Sequence, residues 1–167
     1  MATLPIPDIF GHTIFCDDIR QEADGKLFFI GVYGSVMVVN VPFPVTLPTF
    51  AFGINLSQRK DIFVPRVGLR IFLPGDTESA ASIQAEIGET TEGVVAAQLS
   101  ATTEFVHPDA RVPAEESYPS LSALLKFTQI ELKQPGRIKV RAIIGDNIVR
   151  IGTIAVSPAP QPAAPQT

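Results

Sequence analysis

The densest group of chemically capable side chains lies near the N-terminus, where Cys16, Asp17, Asp18, Arg20 and Lys26 follow one another closely. On an extended chain, Asp17 and Asp18 point to opposite faces, so at most one of them faces the core. A buried carboxylate is costly unless a cation pairs with it. Arg20, on the same face as Asp18, or Lys26, across a hairpin, would supply that pair. We interpret Asp17, Asp18, Arg20 and Lys26 as a structural ion-pair cluster; contact of Arg20 and Lys26 with a small anion or a partner peptide is the alternative.

Cys16, His12 and His107 are the lone cysteine and the two histidines of the chain. A zinc site or a Cys–His nucleophilic pair requires such groups to converge. On a strand that rises about 3.3 Å per residue, His12 and Cys16 lie about 13 Å apart, too far for one ion. A lone cysteine in an apolar strand is usually a small core residue. The sequence therefore predicts no metal, no cofactor and no catalytic residue, and a non-enzymatic protein; a hydrolase centred on Cys16 is an alternative.

A second charged group consists of Arg59, Lys60, Arg66 and Arg70. Arg59 and Lys60 lie in a polar turn, and Arg66 and Arg70 share the polar face of the strand predicted after it. A solvated sheet face is the usual interpretation of such a pattern. The alternative is contact with an acidic partner surface, because charge steers association.

Three short motifs resemble one known family. They are the pattern Cys-Asp-Asp-x-Arg-x-Glu at residues 16–22, the turn Gly25-Lys26 and the segment Gly31-x-Tyr33. Together they resemble a family of uncharacterised bacterial proteins, known only as a domain of unknown function. The resemblance extends to the Pro135-Gly136 corner and the hairpin after it, and so covers most of the folded part. It implies no activity, substrate or catalytic residue.

Composition restricts the class of protein. The chain has 167 residues, of which 46% are apolar and 18% charged, as expected for one globular domain rather than a disordered chain. Its net charge of −4 argues against nucleic acid and against an anionic membrane surface as partners. The N-terminus resembles no secretory signal, and no apolar run is long enough to span a bilayer. With one cysteine, a cytoplasmic location is expected.

The elements that must position these groups are short alternating segments, each ended by Pro, Gly or a polar turn. In residues 49–56, Phe50, Phe52, Ile54 and Leu56 point one way, and this period of two predicts a strand with one buried face. About seven to nine such strands predict an all-β fold, an antiparallel two-sheet β-sandwich of immunoglobulin or fibronectin-like arrangement. A jelly roll is the alternative.

One β-sandwich domain is predicted over residues 12–156. Residues 1–11 form an extended lead-in, and residues 157–167 a disordered tail rich in Pro and Ala. Hairpins are expected to join 12–20 with 27–33 and 137–144 with 148–156.

Other segments carry weaker patterns. Residues 41–48, with three prolines, predict a crossing loop rather than a central strand. Residues 78–87 fit either a helix or a strand, and the neighbouring strands favour a strand. Leu121, Leu124 and Leu125 follow a helical spacing after Ser120, which predicts one capped helical turn.

Function is expected to lie in association with an unidentified protein partner or another copy of the chain. Edge strands invite pairing, and the apolar segment 35–41 is the candidate if it lies at an edge. The alternative is a small-ligand or saccharide-binding domain that uses the loops at 42–48 and 106–119. The lack of Trp and the presence of two Tyr weigh against a sugar platform.

Overall fold

The computed structural model describes residues 7–24, 26–88, 100–106 and 118–160. These residues form eleven strands and one 3-10 turn at Lys60–Ile62. The strands are β1 (Ile9–Cys16), β2 (Asp18–Gln21), β3 (Leu27–Ile30), β4 (Val36–Val39), β5 (Val45–Gln58), β6 (Arg66–Phe72), β7 (Ile83–Gly88), β8 (Ser100–Val106), β9 (Ser120–Leu132), β10 (Gly136–Ile144) and β11 (Asn147–Pro158). In the described part of the chain, no helix is long and apolar enough to cross a membrane.

Two sheets form the sandwich. The four-stranded sheet has the order β1-β5-β9-β8, and the five-stranded sheet has the order β4-β11-β10-β6-β7. β2 and β3 form a separate hairpin. Neighbouring strands run antiparallel except β4, which pairs parallel to β11. The predicted all-β two-sheet sandwich is confirmed.

The core lies between β5 and β9 on one side and the inner face of the five-stranded sheet on the other. The alternating apolar residues of two strands are buried, as predicted: Phe50, Phe52, Ile54 and Leu56 of β5, and Ile138, Val140, Ala142 and Ile144 of β10. Each large apolar side chain buried in this way contributes about 1.5–3 kcal/mol. The Phe50 and Phe52 rings meet edge to face, with centroids 4.9 Å apart.

β1, an edge strand of the four-stranded sheet, packs against β11 of the five-stranded sheet and closes one side of the sandwich. Glycines allow this approach. A Cβ atom at Gly152 would lie 2.6 Å from Cβ of Thr13, and one at Gly11 would lie 2.9 Å from a methyl carbon of Ile151. The backbones therefore come closer than side chains would permit.

Gly152→Ala should destabilise the protein by about 1–3 kcal/mol, because the added methyl group overlaps Thr13. Urea unfolding followed by circular dichroism measures the free energy of unfolding. The matched control is Gly34→Ala, where no heavy atom lies within 4 Å of the new Cβ. Its effect should stay within about 0.5 kcal/mol. Equal stability of the two variants would contradict the close packing of β1 against β11.

The predicted strand over residues 12–20 is in fact two strands. It begins earlier, at Ile9, and bends at Asp17, which separates β1 from β2. Because this segment is divided and β2 and β3 form a separate hairpin, the described residues form eleven strands rather than the predicted seven to nine. The predicted lead-in is correspondingly shorter.

The predicted loop at 41–48 is wrong for its second half, since β5 already begins at Val45. β1 pairs with β5 from Ala51 onward, so among the described strands the first residues of β5 pair only with β9 and form an edge. A proline such as Pro48 is tolerated in an edge strand.

The predicted helical turn after Ser120 is also wrong, because residues 120–132 are strand β9. Leu121, Ala123 and Leu125 alternate into the core, and Leu124 lies on the opposite face, half-buried. β9 pairs with β5 and β8, and these two ladders satisfy its backbone in the extended form. Tertiary pairing thus overrides the local helical spacing.

Several other predictions are confirmed. β10 and β11 form the expected hairpin, with Gly145 at a φ of +57° in the turn. Segment 78–87 contains strand β7 from Ile83 onward.

The first residues of the predicted tail, 157 and 158, belong to strand β11 instead. β11 continues through Pro158, and the amide of Ala159 donates to the carbonyl of Val39 at 2.9 Å. Predictions for the turn at Gly25, for the loop at 107–117 and for the two chain ends, 1–6 and 161–167, lie outside the described residues.

Candidate functional site

The β2–β3 hairpin packs on the outer face of the four-stranded sheet. The ring of Phe29 contacts Gly53 so closely that a Cβ atom at Gly53 would collide with it. A shallow cleft of about 140 Å³ lies between hairpin and sheet, lined on the hairpin side by Leu27 and Phe29 and on the sheet side by Asn55 and Leu124 among others. Small and large residues therefore alternate in β5 because its two faces pack differently. The large residues point into the core of the sandwich, and the small residues lie under the hairpin.

Asp18 holds the start of this hairpin by ion pairs. Its carboxylate accepts from Nζ of Lys126 at 2.6 Å and from Nε of Arg20 at 3.3 Å. The hydrogen bond from Lys126, followed by that from Arg20, lowers the pKa of Asp18 below its ordinary value of 3.8. Lys26 instead pairs with Asp24, at 2.6 Å. The structure brings Asp18 and Arg20 together, as the sequence predicts. The sequence does not predict the pair with Lys126, because Lys126 is more than a hundred residues away and no local pattern links it to Asp18.

Asp17 holds the other side of the bend. The hydroxyl of Tyr33 donates to its carboxylate, and the amide of Tyr33 donates to the carbonyl of Phe15 at 2.8 Å. Burial, with Asp17 beside it, raises the pKa of Tyr33, so the phenol stays protonated and remains a donor. The Tyr33 ring also packs on Phe50, with centroids 5.8 Å apart. The predicted polar cluster is thus anchored to both the core and the neighbouring sheet.

Replacing Lys126 by Gln should raise the pKa of Asp18 toward 3.8, because the first cause of its low value is removed. A depressed carboxyl pKa stabilises the fold fully above the pKa of the unfolded chain, and this stability is lost as pH falls through the lower folded value. Lys126→Gln should therefore reduce the acid-dependent part of stability. Carboxyl NMR titration measures the pKa directly. In the matched control, Lys26→Gln, the pKa of Asp18 should not move; a shift there would contradict the assigned pairing.

Cys16 lies at the end of β1, fully buried, with Sγ 3.7 Å from the carbonyl oxygen of Ala51. Burial, and then the charges of Asp17 and Asp18, raise the pKa of the thiol to about 11. A nucleophilic cysteine needs a lowered pKa and access to solvent. His12 is exposed on the same strand, and His107 lies outside the described residues. Over residues that are described, no three His, Cys, Asp or Glu side chains form a group that could hold a metal ion.

Cys16 should react with a thiol reagent at neutral pH at least about a hundredfold more slowly in the native protein than in denaturant, since a two-unit rise in pKa alone lowers the thiolate fraction that much. Absorbance of the released label measures the rate. An Asn40→Cys variant, with an added thiol at an exposed position, supplies a fast native control. Labelling of Cys16 at the denatured rate would overturn the buried assignment and revive the hydrolase alternative.

The four cations of the predicted charged patch are divided by the fold. Arg59 pairs with Asp8 and with Asp61, the latter at 2.6 Å, which lowers the pKa of Asp61. Lys60 is exposed in the 3-10 turn. Arg66 and Arg70 lie on β6, on the outer face of the five-stranded sheet, where Arg66 approaches Glu86 at 3.9 Å.

Strand β4 forms an edge of the five-stranded sheet, the position for which segment 35–41 was a candidate. Met37 and Val39 are buried, whereas Val36 is 45% exposed and Val38 50% exposed. Val41, just beyond the strand, is also exposed. β4 therefore carries large apolar side chains on both of its faces. We call the strand with its exposed valines, Val36 and Val38, the β4 edge.

The backbone of β4 forms hydrogen bonds on the side that faces β11. The carbonyls of Ser35 and Val39 accept from the amides of Ala155 and Ala159 on the β11 side, at 3.0 and 2.9 Å. Residues of a strand alternate in the side to which their amide and carbonyl point, so Val36 and Val38 direct theirs away from β11. Among the described strands, none pairs with β4 on that side.

A polar cleft of about 290 Å³ lies at one end of the sandwich, between the turn after β6 and the corner after β9. Its lining includes Asp76, Ser82, Lys133 and Gln134. Its described lining includes no residue of the loop predicted at 42–48, and residues 107–117 of the second predicted loop lie outside the described part.

Comparison with protein-family models, with curated proteins and with solved structures finds no match. The family resemblance of the N-terminal motifs and the immunoglobulin-like or jelly-roll arrangement of the strands stay predictions.

Proposed function

We propose that this protein is a non-enzymatic interaction module that binds a protein partner, or a second copy of itself, through the β4 edge. The observation that carries the proposal is an edge strand with outward-facing backbone groups and two half-exposed valines. Edge strands of folded proteins are commonly protected by charges, prolines or a covering segment. The sequence of β4, Val-Met-Val-Val, includes neither a charge nor a proline.

Strand addition at such an edge joins two sources of affinity. The outward amides and carbonyls of Val36 and Val38 supply main-chain hydrogen bonds, and their side chains supply apolar contact. β4 is four residues long, so hydrogen bonds are few and burial of the valines must supply much of the energy. Each Å² of apolar surface removed from water contributes about 25 cal/mol.

A second copy fits this edge by symmetry. A twofold axis beside β4 places the same strand of the two protomers antiparallel, which continues the five-stranded sheet across the interface. The same patch then meets itself, so the apolar valines of one copy contact those of the other. An uncharged strand suits this arrangement because a like charge would face its own copy.

The non-enzymatic part of the proposal rests on Cys16, whose burial and raised pKa argue against a nucleophile. The chain's lone cysteine also supports a reducing, cytoplasmic compartment, which we propose as its location.

Val38→Lys should abolish association at the β4 edge, because a charge at an edge strand opposes pairing with another strand. Sedimentation equilibrium across a dilution series measures the oligomeric state. The wild-type protein should show concentration-dependent dimerisation and the variant should stay monomeric. At protein concentrations where the wild type is also monomeric, the two unfolding midpoints should agree, as Val38 is half-exposed.

The matched control is Ile148→Lys, an exposed apolar position at the opposite end of β11 from the part that pairs with β4. Its oligomeric state should match the wild type. A wild-type protein that is monomeric throughout would remove the self-association arm and leave a heterologous partner. Dimerisation that survives Val38→Lys would contradict the β4 edge as the contact.

A second candidate is binding of a small polar ligand in the cleft near Asp76 and Lys133. Its volume of about 290 Å³ lies at the lower end for ligand pockets. The carboxylate of Asp76 already accepts from the amides of Leu73 and Ser82, at 2.9 and 2.7 Å. Because Asp76 is engaged within its own turn, we rank this candidate below the β4 edge.

A further inference from the structure

Three arginines lie side by side across the five-stranded sheet. The register pairs Arg141 of β10 with Arg70 of β6 on one side and with Arg150 of β11 on the other. Arg141 lies between Val140 and Ala142, which both point into the core, so Arg141 and its cross-strand neighbours share the outer face. Cβ atoms of such neighbours are about 4.5–5.5 Å apart. We call Arg70, Arg141 and Arg150 the arginine row.

This arrangement opposes stability, because like charges directly opposite each other in a sheet repel. Arg141 is 8% exposed, so its guanidinium is also largely removed from water. Its Nη1 atom donates to the carbonyl of Val140 at 3.2 Å. A guanidinium carries five N–H donors, and its burial destabilises the fold unless anions or other acceptors bind those donors. The row is therefore a costly surface that an anionic group would relieve.

One carboxylate of the chain already lies at this surface. Glu78 accepts from Nζ of Lys139 at 2.7 Å, and Lys139 stands on β10 two residues before Arg141. The pKa of Glu78 is lowered, first by Lys139 and further by the charges of Arg141 and Arg150. The Glu78 side chain is 69% exposed, so it covers the surface from outside and leaves most of its own surface in water.

The segment that carries Glu78 is fixed at its base. The carboxylate of Asp76 accepts from the amide of Leu73 and from both the amide and the hydroxyl of Ser82, which ties the two ends of the turn together. Glu78 projects from the middle of this turn. Glu86, a further described acid on this sheet, approaches Arg66 at the margin, at 3.9 Å. Among the described side chains, cations thus outnumber carboxylates around the row.

We propose that the arginine row, together with Lys139, is a binding surface for an acidic segment of a partner protein, and that Glu78 occupies the position of one of the partner's carboxylates. A guanidinium binds a carboxylate by two parallel hydrogen bonds. Arg70 and Arg150 are more exposed than the buried Arg141 between them, so these two guanidinium groups can take carboxylates of an extended chain with repeated acids. Glu78, whose carboxylate lies 2.7 Å from Nζ of Lys139, shows that this part of the surface accepts a carboxylate. A peptide is favoured over nucleic acid because the protein carries a net charge of −4, which repels a phosphate backbone beyond the row.

The surface is separate from the β4 edge in its chemistry, and each stands without the other. The row depends on charge and weakens with salt, whereas the β4 edge is apolar and depends on strand pairing. Salt dependence therefore distinguishes the two contacts.

Binding of a fluorescein-labelled oligoglutamate peptide, followed by fluorescence anisotropy at low and at physiological salt, tests the proposal. The wild-type protein should bind at low salt and weaken as salt rises. Arg70→Gln and Arg150→Gln should each weaken binding about tenfold, the loss of one charge-assisted contact. Glu78→Gln should tighten binding severalfold, because the competing internal carboxylate is removed.

The matched control is Arg20→Gln, which makes the same change in net charge on the hairpin, away from the row. Its affinity should stay within about twofold of the wild type. Thermal unfolding shows whether each variant folds, and loss of Arg70 or Arg150 should leave the midpoint unchanged or higher, because repulsion within the row is relieved.

Three results would overturn the proposal. The first is that Arg20→Gln weakens peptide binding as much as Arg70→Gln and Arg150→Gln do. The second is that Glu78→Gln gives no gain in affinity for the peptide. The third is that the protein binds a labelled oligonucleotide in preference to the peptide. The first would assign binding to net charge, and the last would assign the surface to nucleic acid.

Discussion

Burial of strand β5 on both of its faces is the constraint on which the rest of the structure depends. Its large residues, such as Phe50 and Phe52, pack into the sandwich, and its small residues, Ala51 and Gly53, face the other way and are buried as well. The small side chains leave room for the Phe29 ring and for the thiol of Cys16. The hairpin can dock only because these positions of β5 carry no bulk.

Because the hairpin covers the four-stranded sheet, the polar groups near the N-terminus lie apart from the exposed surfaces of the five-stranded sheet. The reactive-looking N-terminal groups are used to hold the bend at Asp17 and to fix the hairpin on the sheet, through Tyr33 and Lys126. The five-stranded sheet, in contrast, presents both the β4 edge and the arginine row on its outer side. Both proposed contacts therefore lie on the sheet that the hairpin does not cover.

The parts of the fold that followed from the sequence are those in which local pattern and tertiary environment agree. The alternation in β5 and β10 gave the correct buried faces, and the turn at Gly145 gave the correct hairpin. The local sequence pattern predicted the wrong structure where pairing with neighbouring strands determined the backbone conformation. The helical spacing after Ser120 is overridden by the two ladders of β9, and Pro48 lies in a strand because β1 does not reach that part of β5.

For the site, the sequence by itself determined which residues carry charge, that segment 35–41 has the apolar composition of a pairing strand, and that Cys16 lies in an apolar run. These features depend on residue type and on a period of two. Only the tertiary structure decided that Lys126 pairs with Asp18 and that three arginines from different strands stand in one row. The physical reason is register. Cross-strand neighbours are set by how whole strands align, and that alignment is fixed by burying complete faces rather than by any single residue.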